Sequence, residues 1–158
     1  MKKQNLVKMA GVVAAIAWVA GTVSAQSPNP RYGHWKLKSD TPPPTSNVMT
    51  YEPGTGGKGM KITIDAVNRD GVKSQWFYET MFDAKDRPVT GNPGTDTGSV
   101  RVVTDRINEI IYKKDGKVSQ VLTNVLSPDG NTIGVMYMRM NAEGKVTGIT
   151  VATYEKQP

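Results

Sequence analysis

From Tyr32 onward, short apolar and β-branched runs alternate with turns rich in Gly, Pro, Asn and Asp. Met60, Ile62, Ile64 and Ala66 alternate with Lys61, Thr63 and Asp65. Period two marks a half-buried strand, because successive side chains leave opposite faces. Arg69-Asp70-Gly71 turns the chain. Trp76, Tyr78, Thr80 and Phe82 then share one face of the next strand, opposite Gln75, Phe77, Glu79, Met81 and Asp83. Two such runs around a Gly-containing loop make a hairpin. Residues 99–103, 107–114, 118–127, 132–140 and 146–156 repeat the scheme, and 32–38 and 47–52 precede it. Asp115-Gly116 suits a two-residue type I′ turn, whose central residues both take positive φ. Residues 84–96, with Pro88, Gly91, Pro93 and Gly94, read as the longest irregular stretch.

No run in residues 26–158 carries the i, i+3, i+4 spacing of an amphipathic helix. Neighbouring strands joined by tight turns are antiparallel. A meander of about eight to nine strands leaves two open edges, and curling into a barrel removes them. The expected fold is all-β: one antiparallel up-and-down β-barrel over residues 32–158, with a two-sheet sandwich as the alternative closure. An outer-membrane barrel needs an apolar outward band with aromatic girdles. Lys61, Asp65, Gln75, Glu79 and Asp83 fall on the outward face here, so no membrane-spanning role is expected.

Residues 1–25 follow a different plan. Lys2, Lys3 and Lys8 precede an apolar and small-residue run from 9 to 23, and Val23-Ser24-Ala25 forms a small-x-small cleavage site. This is the three-part pattern of a secretory signal peptide. Its core is shorter than the roughly 20 apolar residues of a spanning helix. The chain is therefore expected to be exported, to the periplasm or beyond, with residues 26–31 as a flexible leader.

That leader changes the charge, because Lys2, Lys3 and Lys8 supply half of the formal +6. The remaining basic residues are scattered. Their densest group, Lys113, Lys114 and Lys117, is broken by Asp115 and reads as a solvated hairpin tip. Without a concentrated basic face, no nucleic-acid partner is expected. The chain has no cysteine, so it must stand on its core rather than on disulfides.

Gly33-His34-Trp35-Lys36-Leu37 resembles the Gly-x-Trp opening strand of the lipocalins and the Gly-Thr-Trp-Lys-Leu start of the fatty-acid-binding proteins. Thr153-Tyr154-Glu155-Lys156 resembles the Tyr-Glu-Lys finish of the latter. Tyr51-Glu52-Pro53, Pro88-Val89-Thr90-Gly91-Asn92-Pro93 and Ser127-Pro128-Asp129-Gly130 extend a resemblance to small secreted bacterial lipocalin-like (calycin-type) proteins of unassigned function. The resemblance implies a barrel holding an apolar ligand inside, with Gly33 and Trp35 as structural residues and Trp35 plugging one end. It stops short of fatty-acid carriage. Ala152 stands where fatty-acid-binding proteins place an arginine, and residues 39–45 are too short for their two-helix lid.

Catalysis finds few residues to use. There is one histidine and no Gly-x-Ser-x-Gly elbow. His34 neighbours Trp35, so in a strand it points the opposite way and reads as exposed. Asp70, Asp115, Asp129 and Glu143 sit in or beside turns, where carboxylates serve the backbone. No enzyme activity, cofactor or metal is expected. Met136, Met138 and Met140 share a strand face, and thioethers favour Cu(I). Alternate side chains stand about 7 Å apart along a strand, so core packing is preferred and Cu(I) binding is a minor alternative.

The expected ligand-binding residues are Trp76, Tyr78, Phe82, Met136, Met138 and Tyr154, an aromatic and methionine inner face. Gln120 and Asn124 share a face with Val118, Leu122 and Leu126. Turned inward, that face mixes apolar wall with polar groups, as ligand pockets do. The expected function is non-catalytic binding of a small apolar or amphipathic molecule. The alternative is an envelope structural or interaction module with a packed barrel, whose loops, chiefly 84–96, meet a protein partner. Interior volume separates the two: several hundred Å3 favours the carrier, a filled core the module.

Overall fold

Ten strands form where the period-two alternation is strongest. The computed structural model describes residues 28–158 apart from positions 41, 43 and 44; the expected signal segment, 1–25, lies outside the described residues. The strands are β1 (Gly33–Leu37), β2 (Ser46–Pro53), β3 (Met60–Val67), β4 (Lys73–Thr80), β5 (Arg87–Thr90), β6 (Thr97–Val102), β7 (Ile107–Lys114), β8 (Lys117–Leu126), β9 (Thr132–Met140) and β10 (Val146–Lys156). Each pairs antiparallel with its neighbours in sequence. Strand β10 also pairs with β1, Trp35 opposite Lys156 and Leu37 opposite Tyr154, so the sheet closes into an up-and-down barrel. Among the described residues the helical structure amounts to one 3-10 turn, Thr55–Gly57.

The barrel has ten strands rather than eight to nine. The addition is β5, inside the stretch 84–96. It is held by two register pairs on each side, Phe77 with Thr90 and Tyr78 with Val89, then Arg87 with Gly98 and Pro88 with Thr97. Pro88 has no N–H to give the ladder, and Gly91 at φ +87° ends the strand. Both residues disguise a strand that its neighbours impose. Strand β4 stops at Thr80, short of Phe82. Phe82 and Ala84 take φ of 59° and 60°, a region that side-chain-bearing residues enter rarely. Between them, Asp83 accepts hydrogen bonds from both terminal nitrogens of Arg87 at 2.6 and 3.0 Å.

Alternation decides what lies inside. Met60, Ile62 and Ile64 of β3, Ile110 and Tyr112 of β7, and Leu122 and Leu126 of β8 are buried in one core. On β9 the inward set is Ile133, Val135 and Tyr137. Met136 and Met138, expected inside, therefore stand on the outer face, and Met136 is 38% exposed. Strand β9 is apolar at both parities, so its own pattern does not choose. Its neighbours do, with Val135 in register between Asn124 and Ala152. Outside, Met136 lines up with Val151, and Met138 with Ile149.

One end of the barrel is filled. Trp35 is 0% exposed. Its indole N–H donates to the Arg31 carbonyl at 2.8 Å, and the Lys156 ammonium lies 5.3 Å from a Trp35 ring centroid, within cation–π range. Gly33 takes φ +127°, open in practice to glycine alone, as the chain enters β1. Arg31, expected to close a flexible leader, is 4% exposed. Its guanidinium donates to Asn124 Oδ1 and, at 2.7 Å, to the Arg106 carbonyl. The end of the leader is thus part of the barrel floor, together with Met60, Leu126 and Ile133.

Candidate functional site

Above this floor the barrel is hollow. A cavity of about 140 Å3 is lined by inward side chains of β2, β3, β4, β7, β8, β9 and β10. One wall is aromatic. Trp76 and Tyr78 alternate on β4 with ring centroids 6.1 Å apart and planes 15° from parallel. Tyr112 of β7 stands edge-on to both, at 5.8 and 5.7 Å. Near-parallel and edge-to-face contacts both suit the ring quadrupoles. Gly98 of β6 makes room, since a Cβ there would meet the Tyr112 ring at 3.0 Å. The facing wall is aliphatic, with Leu122 and Val135.

Four polar residues of this wall, Tyr51, Asn124, Tyr137 and Tyr154, are hydrogen-bonded. Tyr137 Oη lies 3.1 Å from Tyr154 Oη. Tyr51 Oη accepts from Asn124 Nδ2 at 3.1 Å and donates to Met49 Sδ at 3.7 Å. Because Arg31 holds Asn124 Oδ1, one chain of contacts runs from the floor, Arg31 to Asn124 to Tyr51, into the cavity. Burial pushes the Tyr51 phenol up to about 12, with the nearby Arg31 charge opposing the shift. Burial likewise raises Tyr78, Tyr112, Tyr137 and Tyr154. All five phenols stay protonated near neutrality and serve as ring surface and hydrogen-bonding groups.

Of the residues expected to bind ligand, the structure brings Trp76, Tyr78 and Tyr154 together in the cavity wall. Phe82 lies lower, bounding a separate space of about 20 Å3 beside Arg31, Thr80 and Asn108. That is room for about one water molecule. Met136 and Met138 are outside, as described above. The inward face of β8 does mix Leu122 with Gln120 and Asn124. Sequence reasoning missed Asn47, Tyr51, Tyr112 and Tyr137. The signal was present in the parities Asn47-Met49-Tyr51 and Asn108-Ile110-Tyr112, each an alternating run ending on a tyrosine.

Among the described residues, no group of three or more His, Cys, Asp or Glu side chains is arranged to hold a metal ion, and no helix is long and apolar enough to cross a membrane. Lys113 and Lys114 are engaged by Asp86 and Asp96 at 2.6 and 2.7 Å. Compared with known proteins, the chain matches no family model and no curated protein. Fold and site together define a closed antiparallel barrel, plugged at one end, with a small aromatic-walled cavity above the plug.

Proposed function

We propose that this is an exported, non-catalytic binding protein that holds one small molecule, about the size of a single aromatic ring, inside its barrel. The observation that carries the reading is the cavity of about 140 Å3 walled by Trp76, Tyr78 and Tyr112. An apolar cavity of about 150 Å3 takes up benzene. Pockets for drug-sized ligands span roughly 300–1,000 Å3. The interior is thus smaller than the carrier expectation and larger than a packed core, which favours a one-ring guest over a long acyl chain. Its walls stand on a closed ladder of strands, and a preformed site loses little to ordering on binding. The export half of the reading rests on the pattern of residues 1–25.

Native mass spectrometry of protein purified from its own envelope tests for a resident molecule, and Trp76 fluorescence follows titration with single-ring compounds. One ring compound per chain is the expected result. Ile64 is in register with Trp76, so Ile64→Phe should fill the cavity and abolish uptake without loss of thermal stability. A wild-type protein that carries nothing and takes up no single-ring compound would sink the proposal.

A further inference from the structure

We infer that the guest is a single-ring carboxylate, its ring in the cavity and its carboxylate on the Arg139 guanidinium at the barrel mouth; the inference rests on the binding role just proposed. The floor is filled, so a guest enters from the opposite end. Arg139 stands at that end of β9 and continues the inward set Ile133, Val135 and Tyr137. Its guanidinium donates to Thr150 Oγ1 at 3.3 Å. Thr150 is in register with Tyr137, a residue of the cavity wall. The charge is therefore turned over the cavity rather than out along the barrel surface. Arg139 and Thr150 share the inward parity and are nevertheless exposed, so the mouth is open to water at this level.

This charge has no counter-charge. Among the described residues no carboxylate lies within ion-pair distance of Arg139, and the cavity wall holds no Asp or Glu. Lys113 and Lys114, at the same end, are already engaged by Asp86 and Asp96. Gln120 joins the charge to the cavity: it lines the wall, in register with Tyr112 on one side and Arg139 on the other. Directly opposite residues stand about 5 Å apart at Cβ, so the Gln120 amide and the Arg139 guanidinium can meet one group at the mouth. The Tyr78 and Tyr112 hydroxyls and the Gln120 amide both donate and accept, so they do not choose the sign of the guest. The guanidinium only donates, stays charged, and has a fork that fits both oxygens of a carboxylate. A carboxylate held at the mouth keeps part of its hydration while its ring takes the dry interior, which avoids the cost of burying a bare charge. A neutral ring leaves the guanidinium to water, and a cationic one is repelled.

The test titrates wild type and Arg139→Gln by calorimetry at neutral pH with toluene, benzamide and benzoate. Benzamide and benzoate have nearly one shape and differ in charge. Wild type should prefer benzoate to benzamide, and added salt should weaken benzoate binding alone. Arg139→Gln should lower the affinity for benzoate by about tenfold, the low end for a hydrogen bond to a charged group, because water reaches the mouth. Toluene and benzamide should bind the variant as they bind wild type, which shows that it is folded and hollow. A benzoate preference that survives Arg139→Gln overturns the inference while leaving the binding role intact. So does a wild type that binds benzamide as tightly as benzoate, a comparison that needs no variant. Failure of all three probes to bind wild type defeats the binding role itself and the inference with it.

Discussion

Arg31 carries a positive charge into the barrel floor, and its two acceptors there, Asn124 Oδ1 and the Arg106 carbonyl, are both neutral. Desolvation lowers its pKa, yet a guanidinium stays charged in proteins. Charge-assisted hydrogen bonds offset the burial. Arg31→Met keeps the apolar stem and removes the donors, leaving both acceptors unmet. The expected cost is about 1–3 kcal/mol, read from urea unfolding with an unchanged slope. An equally stable variant would show that Arg31 merely fills space. At this scale the sequence was partly legible. The plug was legible through the resemblance of Gly33-x-Trp35 to the lipocalin opening strand, and the structure finds that glycine at φ +127° and that indole buried. Arg31 was not, since nothing in a Pro-flanked polar leader shows that the chain doubles back onto its own barrel.

Strand β5 is the weak element of the wall. It has four residues, with two register pairs on each side and a proline in its ladder. Strands β9 and β10, by contrast, share nine pairs. Local opening follows such differences, so native-state amide exchange should be fastest at Val89 and Thr90 and slowest in the β8–β9–β10 ladder. Uniform exchange across the barrel would contradict this. The outer face of that strong ladder is apolar, with Ile149 at 60% and Val151 at 75% exposure. Val151→Lys should therefore change stability by no more than about 0.5 kcal/mol in thermal unfolding. Strands β3 and β4 were readable because their two faces differ in polarity. Strand β9 was not, because Ile133-Val135-Tyr137 and Met136-Met138 are both apolar, and pairing with Asn124 and Ala152 decides which set turns inward. That parity moved the methionines out of the site and brought Tyr137 in.

For the whole molecule, acid and alkali act on opposite sides of the wall. On the surface, hydrogen bonds from Arg87, Lys114, Ser127 and Thr55 hold the carboxyls of Asp83, Asp96, Asp129 and Glu79 below their ordinary values. Their contribution is complete above the unfolded values of 3.8 for aspartate and 4.5 for glutamate, and is lost as pH falls through the folded ones. These groups are solvated, so acid should weaken the barrel gradually, and added salt should blunt the effect. Inside, the five phenols are raised above their ordinary value of 10 by burial. A raised folded value means that the unfolded chain releases protons first. Stability is then full below pH 10 and falls as pH climbs through the folded values, by up to about 1.4 kcal/mol per pH unit for each phenol. Five groups acting together make the alkaline loss steep. Tyrosinate absorbance and far-ultraviolet circular dichroism, followed together across the alkaline range, should show the inward tyrosines ionising in the same cooperative step in which the strands are lost. Gradual ionisation with the barrel still intact would mean that water reaches the cavity wall freely, and the case for a dry, ring-sized site would fail with it.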